Sequence, residues 1–150
     1  MNKELEAEKK LYYFNTKDRY SVYEFSKALL ELIQKNLYNK KQIVFLCIGT
    51  DRATGDCLGP IVGYKLSKLQ HNNIILYGTL EHPVHAKNLD ETLKFIYTHH
   101  RNALVIAIDA SLGKSGHIGY ITLGEGPLLP GAGVDKTLPP VGDIFITGIV

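Results

Sequence analysis

At 150 residues the chain has the length of one compact domain. Its 17 Lys+Arg stand against 15 Asp+Glu, a net charge of +2, which is too balanced for a surface built to hold nucleic acid or membrane. Hydrophobic residues make up 45%, enough to build a core, which excludes wholesale disorder. Two cysteines, Cys47 and Cys57, give no disulfide scaffold and fit a reducing compartment. The first ten residues, MNKELEAEKK, lack an apolar signal core, and no apolar run approaches the ~18–20 residues that span a bilayer. These features predict a cytoplasmic protein.

Residues 1–20 are polar, carry both charge signs and interleave Tyr12, Tyr13, Phe14 and Tyr20. They read as an N-terminal arm with a few aromatics docked on the body, and residues 21–150 as a single domain. Val22, Phe25, Leu29, Leu32 and Ile33 recur at helical spacing behind Ser21, predicting a helix over 21–37 with Ser21 as its cap. The run QIVFLCI at 42–48 ends at Gly49, as in a strand buried on both faces. A loop spans 49–57, and Pro60 suits the first turn of a helix that turns Val62, Leu66 and Leu69 inward. Ile74–Tyr77 is a second strand, followed by the loop Glu81–His85. Asn88 and Glu91 resemble a capping box for a helix bearing Leu89, Leu93 and Ile96. Leu104–Ile108 is a third strand, stopped by Asp109, and Tyr120–Leu123 a fourth, at or near an edge. Residues 124–140 have the glycines and prolines of a loop. Ile144–Val150 is a fifth strand that reaches the last residue, so a helix is expected after it.

Strands alternating with helices predict an α/β domain with a mainly parallel sheet flanked by helices. In such sheets ligand sites collect beyond the carboxyl ends of the strands, near a switch point. That places interest on loops 49–57, 80–86 and 109–115. Asp56 follows the first strand and Asp109 ends the third, so both carboxylates project from one rim. Two close carboxylates cannot both ionise cheaply, and such a pair can activate water with one member and protonate a leaving group with the other. The competing reading of Asp56 is a helix N-cap held ionised by the dipole. His85 is either a loop histidine bonded to backbone or the third member of a carboxylate and imidazole metal set. His71, His82 and the His99–His100 pair read as surface or helix-end residues. Cys57 lacks an adjacent His and reads as a small buried thiol rather than a nucleophile. The glycine-rich 49–59 matches neither common phosphate-binding pattern, and Asp51 and Asp56 would repel an anion there.

Several segments are similar to the sporulation protein YyaC family and to its relative, the spore germination protease. They are CIGTDRATGDCLGP at 47–60, HPVHAKNL at 82–89, IAIDAS at 106–111, GPLLPGAGV at 126–134 and GDIFITGIV at 142–150. The similarity covers roughly residues 42–150. It implies the three-layer αβα sandwich that hydrogenase maturation endopeptidases share. The germination protease degrades small acid-soluble spore proteins through two aspartates, which correspond to Asp56 and Asp109. The maturation enzymes recognise nickel with two acids and a downstream His. Here His117 is the one histidine after Asp109, so a set of that kind would draw His85 from another loop.

The resemblance predicts a sporulation-associated peptidase of the forespore or spore core, with a protein or peptide substrate such as small acid-soluble spore proteins and no required cofactor. Asp56 and Asp109 would do the chemistry. Main-chain amides of Gly49, Thr50 and Asp51, or of Gly131 and Gly133, would receive the oxyanion. The alternative is a binding protein that uses the same rim to hold a peptide or a divalent metal.

Overall fold

The computed structural model of the chain describes residues 8–69, 72–130 and 138–150. Its elements in chain order are β1 (Leu11–Asn15), α1 (Ser21–Asn36), β2 (Gln42–Cys47), α2 (Leu58–Ser67), β3 (Ile74–Tyr77), α3 (Leu89–His99), β4 (Ala103–Ser111), β5 (Tyr120–Glu125) and β6 (Ile144–Ile149). The strands form one sheet in the order β1-β5-β6-β4-β2-β3. Neighbours β3, β2, β4 and β6 run parallel, while β5 is antiparallel to both β6 and β1.

Side-chain alternation divides the core into two layers. On β4, Leu104, Ile106 and Ile108 pack with Ala28 and Leu32 of α1 and with Val62 and Leu66 of α2. Val105 and Ala107 point the other way, onto Leu89, Leu93 and Ile96 of α3. Helices thus cover both faces of the parallel strands, which is the expected three-layer α/β sandwich. A run as apolar as β4 is what burial on two faces demands.

Three local expectations give way. Leu11–Asn15 is an edge strand rather than part of a docked arm: Phe14 is buried against α1 while Leu11 and Tyr13 face outward. That alternation of aromatic residues is strand chemistry. The fourth predicted strand lies one place in from the edge, near it as expected. Ser21 is the first residue inside α1, behind Tyr20, and no side chain caps that helix. Asp109 does not stop its strand, because pairing to β6 continues through Asp109↔Thr147, Ala110↔Gly148 and Ser111↔Ile149. A polar side chain does not end a strand whose neighbour goes on supplying partners.

Candidate functional site

From β2 the chain crosses through α2 to β3 on one side, then returns through α3 to β4 on the other. The carboxyl ends of β2 and β4 therefore flank the switch point, where side chains from two diverging connections face an open crevice. The loop after β2 carries Asp56, and the last third of β4 carries Asp109.

The first loop is wound tightly by its own backbone. The Gly49 N–H donates to the Val84 carbonyl at 2.8 Å, and the Thr50 N–H to the Asp56 carbonyl at 2.9 Å. Gly49 has φ +143°, and a Cβ there would lie 2.2 Å from the Asp56 carbonyl oxygen. Only glycine closes this turn. The loop ends in a 3-10 turn, Thr54–Asp56, after which α2 packs directly on the strand end. A Cβ on Gly59 would lie 2.0 Å from the Ile48 carbonyl oxygen.

Asp109 is 6% exposed, and its Oδ1 accepts the Ala110 N–H at 2.8 Å. Burial, and then the charge of Asp56, push its carboxyl up to about 7, with the Ala110 amide pulling the other way. Burial also raises Asp56, against the opposing pull of the Thr50 backbone amide and of His85. A helix cap would be held low by the dipole. Asp56 moves in the other direction, and the N-cap position of α2 is Cys57, with no side-chain bond. Asp56 is not a cap.

His85 belongs to the same site through its effect on Asp56. Its segment lies beside β2 by a parallel bridge between Val84 and Ile48. The ring Nδ1 accepts the Lys87 N–H at 3.2 Å, which leaves the proton of a neutral imidazole on Nε2. His85 is thus bonded to backbone, as one reading has it, and it shares a cavity with a carboxylate. A cavity of about 500 Å³ joins Asp56 and His85 to Thr50, Asp51, Arg52, Pro83 and Lys87.

The expected oxyanion donors fare differently. The amides of Gly49 and Thr50 are already given to main-chain carbonyls, so their part here is to shape the loop. Asp51 lines the cavity. Gly131 and Gly133 lie outside the described residues, as does His71. Cys57 is half-buried rather than buried, and its thiol donates to the Thr54 carbonyl at 3.1 Å. The buried thiol is Cys47, which burial pushes up to about 12. His117 sits in a 3-10 turn against the Tyr120 ring. Among the described residues no group of three or more His, Cys, Asp and Glu is placed to hold a metal ion.

Sequence reasoning missed Arg52 and Lys87, the two cations of the cavity, because charges in loops look alike until the chain is folded. It also misjudged Asn88. Its side chain does not cap α3; the carboxamide turns back onto the His85 loop.

A family model described as "Protein of unknown function (DUF1256)" matches residues 13–150. The chain is also similar to "Uncharacterized protein YyaC" of Bacillus subtilis (strain 168), with 54% identity over 110 residues. Those residues are 73% of this chain and 54% of that protein, so the chain spans about half the length of this relative.

Proposed function

The chain belongs to the DUF1256 family, and from that premise we propose that it is a sporulation-associated peptidase working through Asp56 and Asp109. The observation that carries this reading is Asp109: a carboxyl held near pH 7 by burial and by a second carboxylate at the switch point. Perturbed acids in a cleft are where acid–base chemistry is expected. Asp109, the more buried member, is raised to about 7, so a protonated fraction persists at neutral pH and serves as the acid that protonates the leaving amine. Asp56, on the cavity wall with His85 beside it, is the base that deprotonates the attacking water. The resemblance of residues 47–60 and 106–111 to the germination protease supports an extended spore-protein substrate and an action in the forespore. The test incubates purified protein with small acid-soluble spore proteins and follows fragments by mass spectrometry. Cleavage is expected, reduced at least ~100-fold in Asp56→Asn and Asp109→Asn, the scale of a lost acid or base. Cleavage equal in the two variants and the parent would refute the dyad.

One observation favours a second reading. With the Gly49 and Thr50 amides spent inside their loop, two of the expected oxyanion donors are gone. A binding protein on the same fold needs none. In that case Ni²⁺ or Zn²⁺ titrated calorimetrically binds tightly, and the heat disappears in His85→Ala.

A further inference from the structure

Asn88 occupies the position from which a helix is normally capped, yet its side chain bonds in the opposite direction. An isolated parallel bridge sets Val84 beside Ile48 at the end of β2, and the Val84 carbonyl accepts the Gly49 N–H. Adjacent residues of a strand aim their main-chain groups at opposite edges. The Pro83 carbonyl and the His85 N–H therefore point to the outer edge, where a further strand would pair. Asn88 supplies that pairing. Its Nδ2 donates to the Pro83 carbonyl at 3.0 Å, and its Oδ1 accepts the His85 N–H at 2.8 Å. A third bond, from the Asn88 N–H to the His85 carbonyl at 3.1 Å, closes the turn. One carboxamide thus stands in for one residue of a missing strand. The exchange gives up a cap, normally worth ~1 kcal/mol, on a helix whose start has no other side-chain cap bond.

We infer that Asn88 is a positioning residue: it holds the Pro83–His85 segment beside the end of β2, so that the imidazole stays in the cavity it shares with Asp56 and keeps its proton on Nε2. Removing the carboxamide frees the His85 N–H and the Pro83 carbonyl to water, and the segment loses its outer partner. The ring then departs from the Lys87 N–H that fixes its tautomer. This inference rests on the site described above, but its test does not need cleavage of any substrate.

The experiment measures His85 by ¹⁵N imidazole shifts and Asp56 by ¹³C carboxyl titration, in the full chain and in Asn88→Ala, Asn88→Asp, His85→Ala and the double variant Asn88→Ala/His85→Ala. Asp109, whose carboxyl Asp56 raises, is followed in the same spectra, and the other charged groups of the cavity, Asp51, Arg52 and Lys87, are the same in every variant. In Asn88→Ala the Nε2–H tautomer of the neutral ring gives way to a mixture, and the Asp56 midpoint rises as the charge of the protonated ring draws away from it. Asn88→Asp keeps the acceptor for the His85 N–H but faces the Pro83 carbonyl with a carboxylate, so its shifts lie between. In the His85→Ala background the Asn88 substitution leaves the Asp56 midpoint where His85→Ala alone puts it. An unchanged tautomer in Asn88→Ala overturns the inference, and so does an Asp56 shift that persists without His85. Should Asn88→Ala not fold, Asn88→Asp and His85→Ala decide by the same two readouts. Absence of peptidase activity would sink the proposed reaction and leave this result standing.

Discussion

Burying Asp109 ionised costs free energy that burying it protonated does not, and the consequence is a pH dependence of known sign. Its carboxyl lies at about 7 in the folded chain, against 3.8 for an ordinary Asp. Stability from the neutral form is complete below the unfolded value and is lost as pH rises through about 7. Asp109→Asn keeps an Oδ1 acceptor for the Ala110 N–H and carries no charge. Its melting temperature should therefore exceed the parent's more at pH 8 than at pH 5. An equal shift at both values would show that Asp109 is not held neutral. Gly59 makes a prediction of the opposite sign. Alanine inside a helix ordinarily gains about 1 kcal/mol over glycine. Here the added Cβ would meet a main-chain oxygen at 2.0 Å, and moving α2 off β2 costs more, ~1–3 kcal/mol. Chemical denaturation of Gly59→Ala should show a net loss.

Among the elements, β1 has the most to say about what can be read from sequence. The parallel core was legible because β2 and β4 are continuous apolar runs, and the same runs fixed where Asp56 and Asp109 emerge. β1 was not, since half its residues face solvent and its partner β5 lies more than a hundred residues away. Only the alternation of Tyr12 and Phe14 with Leu11 and Tyr13 carries the signal, in five residues. Asn88 failed for a different reason: a residue with the right chemistry for a cap has the right chemistry for a strand edge as well, and tertiary context chose. The His85 loop was placed correctly as a neighbour of the first loop, but the bridge that joins them joins residues Ile48 and Val84, which no local pattern relates.

The junction of β1, α1 and β5 is tied by Glu125. Burial opposes its charged form, yet the Lys35 Nζ at 2.9 Å, the Lys10 N–H at 3.1 Å and the Asn36 amide at 3.3 Å outweigh it and hold the carboxyl below its ordinary value. Its contribution is present above the unfolded value and is lost as pH falls. Lys35 is 46% exposed, so solvent screens the pair and the expected cost of Glu125→Gln is only about 1 kcal/mol. That cost should fade on acidification, in melts of the two proteins at pH 7 and pH 3. A cost that stays constant with pH would mean the carboxamide, not the charge, is what matters.

On the scale of the whole molecule, the two ends of the sheet differ from its middle. Among the described residues β2, β4 and β6 are paired on both edges, while β1 and β3 are each paired on one edge only. Native-state hydrogen exchange should therefore find the slowest amides in β4 and faster ones in β1 and β3. Removing residues 1–15 would expose the β5 edge, and such edges recruit other chains. Light scattering should detect more association in that truncation than in the full chain.

The strand order has a temporal consequence. β2 and β3 are joined by a single helix and can pair early, whereas β4 must come back past both to reach the other flank of β2. Closing the longer loop is slower, because its entropy is spent before the contact rewards it. Asp56 travels with the early pair and Asp109 with the late strand. A chain emerging from synthesis or caught part-way through refolding therefore carries the two acids separately, and neither alone is a dyad. Pulse-labelled exchange during refolding should protect β2 before β4. Timed this way, the rim that brings the two acids together exists only after the chain has ceased to be an unfolded peptide itself.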